Sequence, residues 1–322
     1  MGDDAGPTVA GFLDRWLVAV RPTLRASTWV RYEQYARLHT VPALGQLPLR
    51  EIRPSHLHAL YADRLAAGCS PTSVRHLHRF LHRVFTHAVR WGEVADNPVE
   101  RVDPPRPAVP AFTALSPEQA RRLVAGSRGD RLHALYVLAL TTGLRQGELF
   151  ALRWGDVDMT GRRLAVRGTL YRGAGGGWTV GAPKTHRSRR QVVLSQLAVD
   201  ALEVNRTAQR AERHGVGARW DDNDLVFANQ MGRPLSSQNV MARSFRPLLR
   251  RLGLPPIRFH DLRHTAATLL LGAGVHPKIV SEMLGHASVG VTLDLYSHVT
   301  PVMHESAALE LGRLLEEREE RS

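Results

Sequence analysis

Cysteine is almost missing from this 322-residue chain. Cys69 stands alone, which excludes an internal disulfide framework, fits a reducing compartment and suits a small, partly buried residue. Lysine is nearly as scarce. Of 43 lysines and arginines only Lys184 and Lys278 are lysines, a skew typical of GC-rich coding that makes each lysine an exception. Long apolar runs are lacking too: the stretch around "LHALYVLAL" is too short and too interrupted to span a bilayer. The opening "MGDDAGPTVA" is acidic and polar, unlike a signal peptide, and lacks the Ser or Thr of a good myristoylation site. Acidic residues are outnumbered, 30 against 43, leaving a net charge of +13 and a pI near 11.0. Such a balance calls for a polyanionic partner, nucleic acid before an anionic membrane surface, since no lipidation motif or long basic amphipathic helix is present.

What is present suits two domains, because single cores stop growing at about 250–300 residues. Four helical patterns fill the first hundred residues. "TVAGFLDRWLVAV" puts Val9, Phe12, Leu13, Trp16 and Leu17 on one face. Pro22 ends it, and Ser27 is the expected cap of "STWVRYEQYARLH". "SHLHALYADRLAAG" follows Pro54 and stops at Gly68. The longest of the four, "SPTSVRHLHRFLHRVFTHAVRWG", carries an apolar stripe of Val74, Leu77, Leu81, Val84, Phe85 and Ala88. Arg75, Arg79, Arg83 and Arg90 lie on its other faces, either as a solvated surface or as contacts to a DNA backbone. "DNPVERVDPPRPAVP" then reads as a semi-rigid linker.

The second part mixes helices with strand-like "DVDMTGRRLAVRG", "GGWTVGA" and "RRQVVLS", which predict a small antiparallel sheet. The Gly-rich "RGAGGG" is no phosphate-binding P-loop, since no Gly-Lys-Ser/Thr follows and no helix opens from it. From Gln196 onward the pattern is helical again, closing on "ALELGRLLEEREERS".

Four segments carry possible chemistry. In "FHDLRHTAATLLL", His260 and Arg263 share a helix face and His264 sits one turn on. A zinc reading of the two histidines fails on Asp261, which occupies the place of the zincin glutamate. A structural cap at the helix start remains the plainer alternative. In "TTGLRQGELFALRW", Gly143 breaks a helix and Arg145 opens the next with Glu148 three residues on. This is either a surface ion pair or a guanidinium fork steadied to grip phosphate oxygens. Lys184 precedes a strand in "GAPKTHRSRRQVVL". A site needing a proton donor would reject arginine there, whereas drift at an exposed turn would leave the lysine idle, as Lys278 shows lysine can be. Finally "LGHASVGVTLDLYSHV" holds His286 and Tyr296, with Val289, Val291, Leu293 and Leu295 expected to pack a short helix against the core. A phenol attacking a phosphodiester needs charge neutralised on the non-bridging oxygens, a base and an acid, and these groups supply all three without a metal.

The ordered series "TGLRQGE", "PKTHRSRR", "HDLRHTAAT" and "LGHASVGVTLDLYSHV" resembles the tyrosine recombinase (phage integrase) family. "STWVRYEQYARLHTVPALGQLPLREI" and "SPTSVRHLHRFLHRVFTHAVRWGEVADNP" resemble its helical core-DNA-binding domain, so the likeness covers most of the chain. The resemblance implies an α + (α+β) chain. An all-helical, SAM-like core-binding domain over 1–103 leads through a Pro-rich linker (104–111) to a mainly helical catalytic domain with a small antiparallel sheet (112–300). A helical tail (301–322) is free to contact a neighbouring protomer. It implies that Arg145 and Arg263 grip the scissile phosphate and that Glu148 buttresses Arg145. Lys184 is then the general acid, His260 transfers the proton at the nucleophile, His286 hydrogen-bonds a phosphate oxygen, and Tyr296 forms a 3′-phosphotyrosyl link. No metal, ATP or other cofactor is implied. The implied partners are double-stranded DNA bearing core sites and three further copies in a tetramer, in the cytoplasm at the nucleoid, with room for an excisionase or a host DNA-bending protein. His298 receives no role. One departure and three rivals stand beside this. The first helix begins near Thr8, leaving no space for the arm-binding domain of many phage integrases. A Xer-like chromosome or plasmid dimer resolvase, a type IB topoisomerase and a non-catalytic DNA-binding protein are the alternatives to a mobile-element integrase.

Overall fold

The computed structural model describes residues 6–107, 113–172, 177–181, 190–286 and 288–295, with 308, 309, 311, 312 and 315 of the tail. The chain divides into two compact units, residues 1–110 with 172–177, and residues 111–171 with 178–322. Over residues 6–107 the first is built of helices joined by turns. Helix α1 (Val9–Val20) is capped by the Thr8 hydroxyl, which accepts the Gly11 N–H at 3.2 Å, and buries the five expected residues with Val20. Helix α2 (Ala26–Tyr35) widens into a π-turn at Ala36–Thr40 and continues as α3 (Val41–Leu44). Arg25, not Ser27, occupies the N-cap of α2. The chain leaves α1 by a tight turn at Arg21–Thr23 and re-enters a helix at once, so Ser27 falls inside the first turn. Helix α4 (Pro54–Ala66) stops before Gly68, whose φ of +85° an L side chain rarely adopts.

Helix α5 (Pro71–Arg90) starts at Ser70, whose hydroxyl accepts the Ser73 N–H at 3.2 Å. Its expected stripe is buried, with Phe80 added. The fully buried Trp16 of α1 meets Phe80 edge-on at 5.9 Å and Tyr32 of α2 at 5.8 Å. Truncating such an aromatic to alanine costs about 3–5 kcal/mol, so this cluster fixes how α1, α2 and α5 pack.

In the second unit α6 (Pro117–Gly126) leads to α7 (His133–Thr142), which is buried from Ala134 to Leu140 without a polar face and so forms the centre of its core. After α8 (Gln146–Ala151) come β1 (Val157–Asp158), β2 (Arg163–Val166), β3 (Thr169–Arg172), β4 (Trp178–Gly181) and β5 (Arg190–Val193). Strands β1, β2 and β5 make an antiparallel sheet in that order, while β3 and β4 pair separately. Strand β3 has no counterpart in the sequence reading, because glycines crowd both of its flanks. The β2–β5 register sets Leu164 opposite Val192 and Val166 opposite Arg190. Leu164, Val166 and Val192 are buried, so period-2 alternation turns Arg190 to the same inner face. Helices α9 (Gln196–Val216), α10 (Ser237–Val240), α11 (Arg246–Arg251), α12 (Asp261–Gly272), α13 (Pro277–Leu284) and α14 (Val289–Leu295) complete the unit. Among the described residues no helix is long and apolar enough to cross a membrane.

Candidate active site

Three helix ends converge on one place. Helix α7 stops because Gly143 takes the left-handed conformation (φ +61°), and a Cβ there would run into the Leu284 side chain. The Gly143 carbonyl accepts a hydrogen bond from Nη1 of Arg263 at 2.8 Å. Arg263, one turn into α12, is only 3% exposed. The next helix, α8, is capped by Arg145 and Glu148 together: the carboxylate accepts the Arg145 N–H at 3.0 Å and Arg145 Nη1 at 2.8 Å. Nη2 of Arg145 then donates to the Gly285 carbonyl at 2.9 Å, tying α8 to the end of α13.

That end is a Schellman turn. With φ +68° at Gly285, the Gly285 N–H reaches Glu282 and the His286 N–H reaches the Ser281 carbonyl, each at 3.0 Å. The geometry places His286 directly after the turn, where its Nδ1 lies 2.8 Å from the hydroxyl of Thr292 in α14. Burial first, then the charges of Arg263 and Arg145, push the His286 pKa down to about 4. The ring is therefore neutral near pH 7. If the buried Thr292 hydroxyl donates to Nδ1, the ring proton resides on Nε2.

At the start of α12, Asp261 is buried and takes both the backbone N–H and the guanidinium of Arg258, each at 2.8 Å. This settles its part as a helix-start anchor. His260 is exposed, but its inner edge meets the His264 ring at 5.1 Å, nearly perpendicular. Burial of that edge, then the Arg263 charge, lowers the His260 pKa, and His264 is lowered to about 4 chiefly by burial and then by His260. Among the described residues no group of three or more His, Cys, Asp or Glu could hold a metal ion.

Of the residues singled out from the sequence, Arg145, Glu148, His260, Arg263 and His286 thus gather in one site. Lys184, Tyr296 and His298 lie outside the described residues. Of the four aliphatic residues expected to pack the segment before Tyr296, Val289 is half-buried, Leu295 has no described side chain, and the other two face outward. Val291 is 38% and Leu293 49% exposed, while Thr292 is fully buried. A seven-residue helix held by one turn of chain has only one inner face, and it presents the hydroxyl that orients His286 there. Sequence reasoning missed Thr292 and Arg190. The alternation that places Val192 inward also places Arg190 inward, and this was the available signal.

In the first unit, Arg79 and Arg90 are exposed and Arg75 and Arg83 half-buried, on the face of α5 opposite its core stripe. Arg83 lies 5.9 Å from the Tyr32 ring. Burial, then the charges of Arg31, Arg79 and Arg75, lower the His76 pKa, so Arg31 of α2 joins the same basic cluster.

Arg145, Arg263, the imidazoles of His260 and His286 and the Glu148 carboxylate that braces Arg145 have the chemistry to receive an oxyanion. The phage integrase family model matches residues 113–302, and its N-terminal SAM-like domain matches residues 8–65. A XerC-like tyrosine recombinase of Caldanaerobacter subterraneus subsp. tengcongensis is 30% identical over 95% of this chain and 83% of that one. An integrase of Streptomyces ambofaciens is 30% identical over 94% of this chain and 80% of its own length. Among solved structures, the Tn1549 transposon integrase in complex with a circular intermediate DNA aligns with a TM-score of 0.78 at 23% identity, covering 96% of this chain and 99% of that one. This chain belongs to the phage integrase family of tyrosine recombinases, enzymes that cut and rejoin DNA.

Proposed function

We propose that the chain is a site-specific integrase of a mobile element and that Tyr296 is its nucleophile. The Tyr296 oxygen attacks the scissile phosphorus, the bond to the 5′-oxygen breaks, and a 3′-phosphotyrosyl link forms. His260, held neutral, takes the phenol proton, and Lys184 gives a proton to the departing 5′-oxygen. Arg145 and Arg263 neutralise the non-bridging oxygens, while Nε2 of His286 donates to one of them. Rejoining reverses the steps with the incoming 5′-hydroxyl, so the phosphotyrosyl bond conserves the energy and no metal or nucleotide is called for. The observation that carries this reading is the convergence of Arg145, Arg263 and His286 through the Gly143 and Gly285 carbonyls.

Arg75, Arg79, Arg83 and Arg90 of the helical unit hold the DNA backbone around the core site. Exchange of two strand pairs requires four cleavages, one per tyrosine, and therefore a tetramer on paired sites. It acts in the cytoplasm on nucleoid DNA, with an excisionase or a host DNA-bending protein as accessory. A Xer-like resolvase remains the second reading, favoured by the XerC-like relative at 30% identity.

The test uses supercoiled plasmids carrying none, one or two copies of the junction recovered from the ends of the encoding element. Deletion between two copies, with little relaxation of the plasmid lacking them, is expected. Equal relaxation of every plasmid would mean a topoisomerase, and binding without strand exchange a DNA-binding protein. Recombination at a chromosomal dimer-resolution site but not at the element's ends would favour the resolvase.

A further inference from the structure

Arg190 lies at the head of β5, opposite Val166, with a side chain only 8% exposed. Burying a guanidinium is costly unless it is paired and hydrogen-bonded, and Glu148 and the Met283 carbonyl are among its partners here. Nη2 donates to Oε2 of Glu148 at 3.0 Å, and Nε donates to the Met283 carbonyl at 2.7 Å. Glu148 therefore lies between two arginines: Oε1 accepts Arg145 Nη1 at 2.8 Å and, more loosely, Arg190 Nη1 at 3.4 Å, while Oε2 accepts Arg190 Nη2 and the Arg145 N–H, each at 3.0 Å. Burial alone would push this carboxyl up, yet Arg190, and after it Arg145, bring it below the usual range. The two arginines also grip carbonyls two residues apart in one turn, Met283 and Gly285. A Cβ on Gly285 would stand 2.9 Å from Nη1 of Arg190, so any larger residue there would have to shift the guanidinium as well as strain a backbone at φ +68°.

We propose that Arg190 is a positioning residue for strand cleavage: through Glu148 it fixes the Arg145 fork, and through the Met283 carbonyl it fixes the turn that presents His286. Arg190 is separated from the reacting phosphate by Glu148 and the turn, and acts by removing the freedom of two groups that do touch it. The inference rests on the reading of the site given above.

It is tested with a nicked duplex made from a sequence that the wild-type chain retains from a random DNA library. DNA affinity, the single-turnover rate of covalent attachment and the melting temperature are measured for Arg190→Gln, Arg190→Lys and Glu148→Gln, and for Arg190→Gln combined with Glu148→Gln. Arg190→Gln is expected to bind within about 3-fold of wild type and to cleave about 10- to 100-fold more slowly, well below its melting temperature. Arg190→Lys keeps the charge without the fork and is expected to recover only part of the rate. The double variant should lose about as much as one single variant, because both act on the same contact. Wild-type cleavage by Arg190→Gln, or losses that multiply in the double variant, would overturn the proposal. A loss confined to DNA affinity would do so too. If neither Arg190 variant folds, Gly285→Ala crowds the same guanidinium with every charge in place. It is expected to slow attachment while binding persists, and normal attachment by it counts against the proposal. Failure of the wild-type chain to attach to the duplex would strike the reading of the site instead.

Discussion

Thr292 and His286 are joined by one 2.8 Å hydrogen bond, and the tautomer of the imidazole depends on it. Thr292→Val keeps the shape and removes the hydroxyl. Attachment is expected to slow about 10-fold, of the order of one buried hydrogen bond, with DNA affinity unchanged in a filter-binding assay. The histidines also set an acid limit on stability. His264 and His286 have folded pKa values near 4 against 6.5 for the free side chain, so between those values the unfolded chain binds protons that the folded one refuses. Stability is full above pH 6.5 and falls as the pH drops toward 4. His264→Asn should flatten that fall in melting curves taken from pH 7 to pH 5, and an unchanged slope would contradict the assignment.

At this scale Arg145, Glu148, His260 and Arg263 could be singled out because each lies three or four residues from a partner in a local motif, and His286 because its segment resembles a family motif. Arg190 escaped notice since it is one arginine within the run "RSRR" in an arginine-rich chain. Its partners come from α8 and α13, 42 and 93 positions away. Such long-range pairing leaves no local trace beyond strand alternation.

The elements carry the site as ends rather than faces. Gly143 ends α7, Arg145 begins α8 and Gly285 ends α13. Gly143→Ala would force an L residue to φ +61° and press a methyl group into Leu284. A cost of about 1–3 kcal/mol is expected from the backbone alone, together with slower attachment as the carbonyl holding Arg263 shifts. Thermal melting and attachment rates on the same preparation check both effects. On α5 the expectation is electrostatic. Arg79→Ala should lower the slope of log affinity against log salt by about 1 while leaving attachment at saturating DNA unchanged. An unaltered slope would remove Arg79 from the DNA contacts. Helices α1, α4, α5 and α7 were readable from apolar spacing and from their Gly and Pro boundaries. The start of α2 and strand β3 were not, since turn geometry decides the first and flanking glycines mask the second.

For the whole molecule, 43 basic residues against 30 acidic ones make DNA the natural partner of both units. The basic groups divide into two kinds of work. In the proposed reading, exposed arginines on α5 would add sequence-independent affinity, while the braced arginines at the helix ends would hold one phosphate in a fixed geometry. That division explains why binding and cleavage should separate so cleanly in the variants above. The central claim is that strand cleavage goes through a covalent bond to Tyr296 with charge neutralised by side chains alone. It is tested most directly by incubating the chain with nicked DNA of its own site in EDTA and resolving the products under denaturing conditions. The account predicts a protein linked to the 3′-phosphate in the wild type and none in Tyr296→Phe. An adduct that survives that substitution, or one that forms only when a divalent metal is restored, would contradict it.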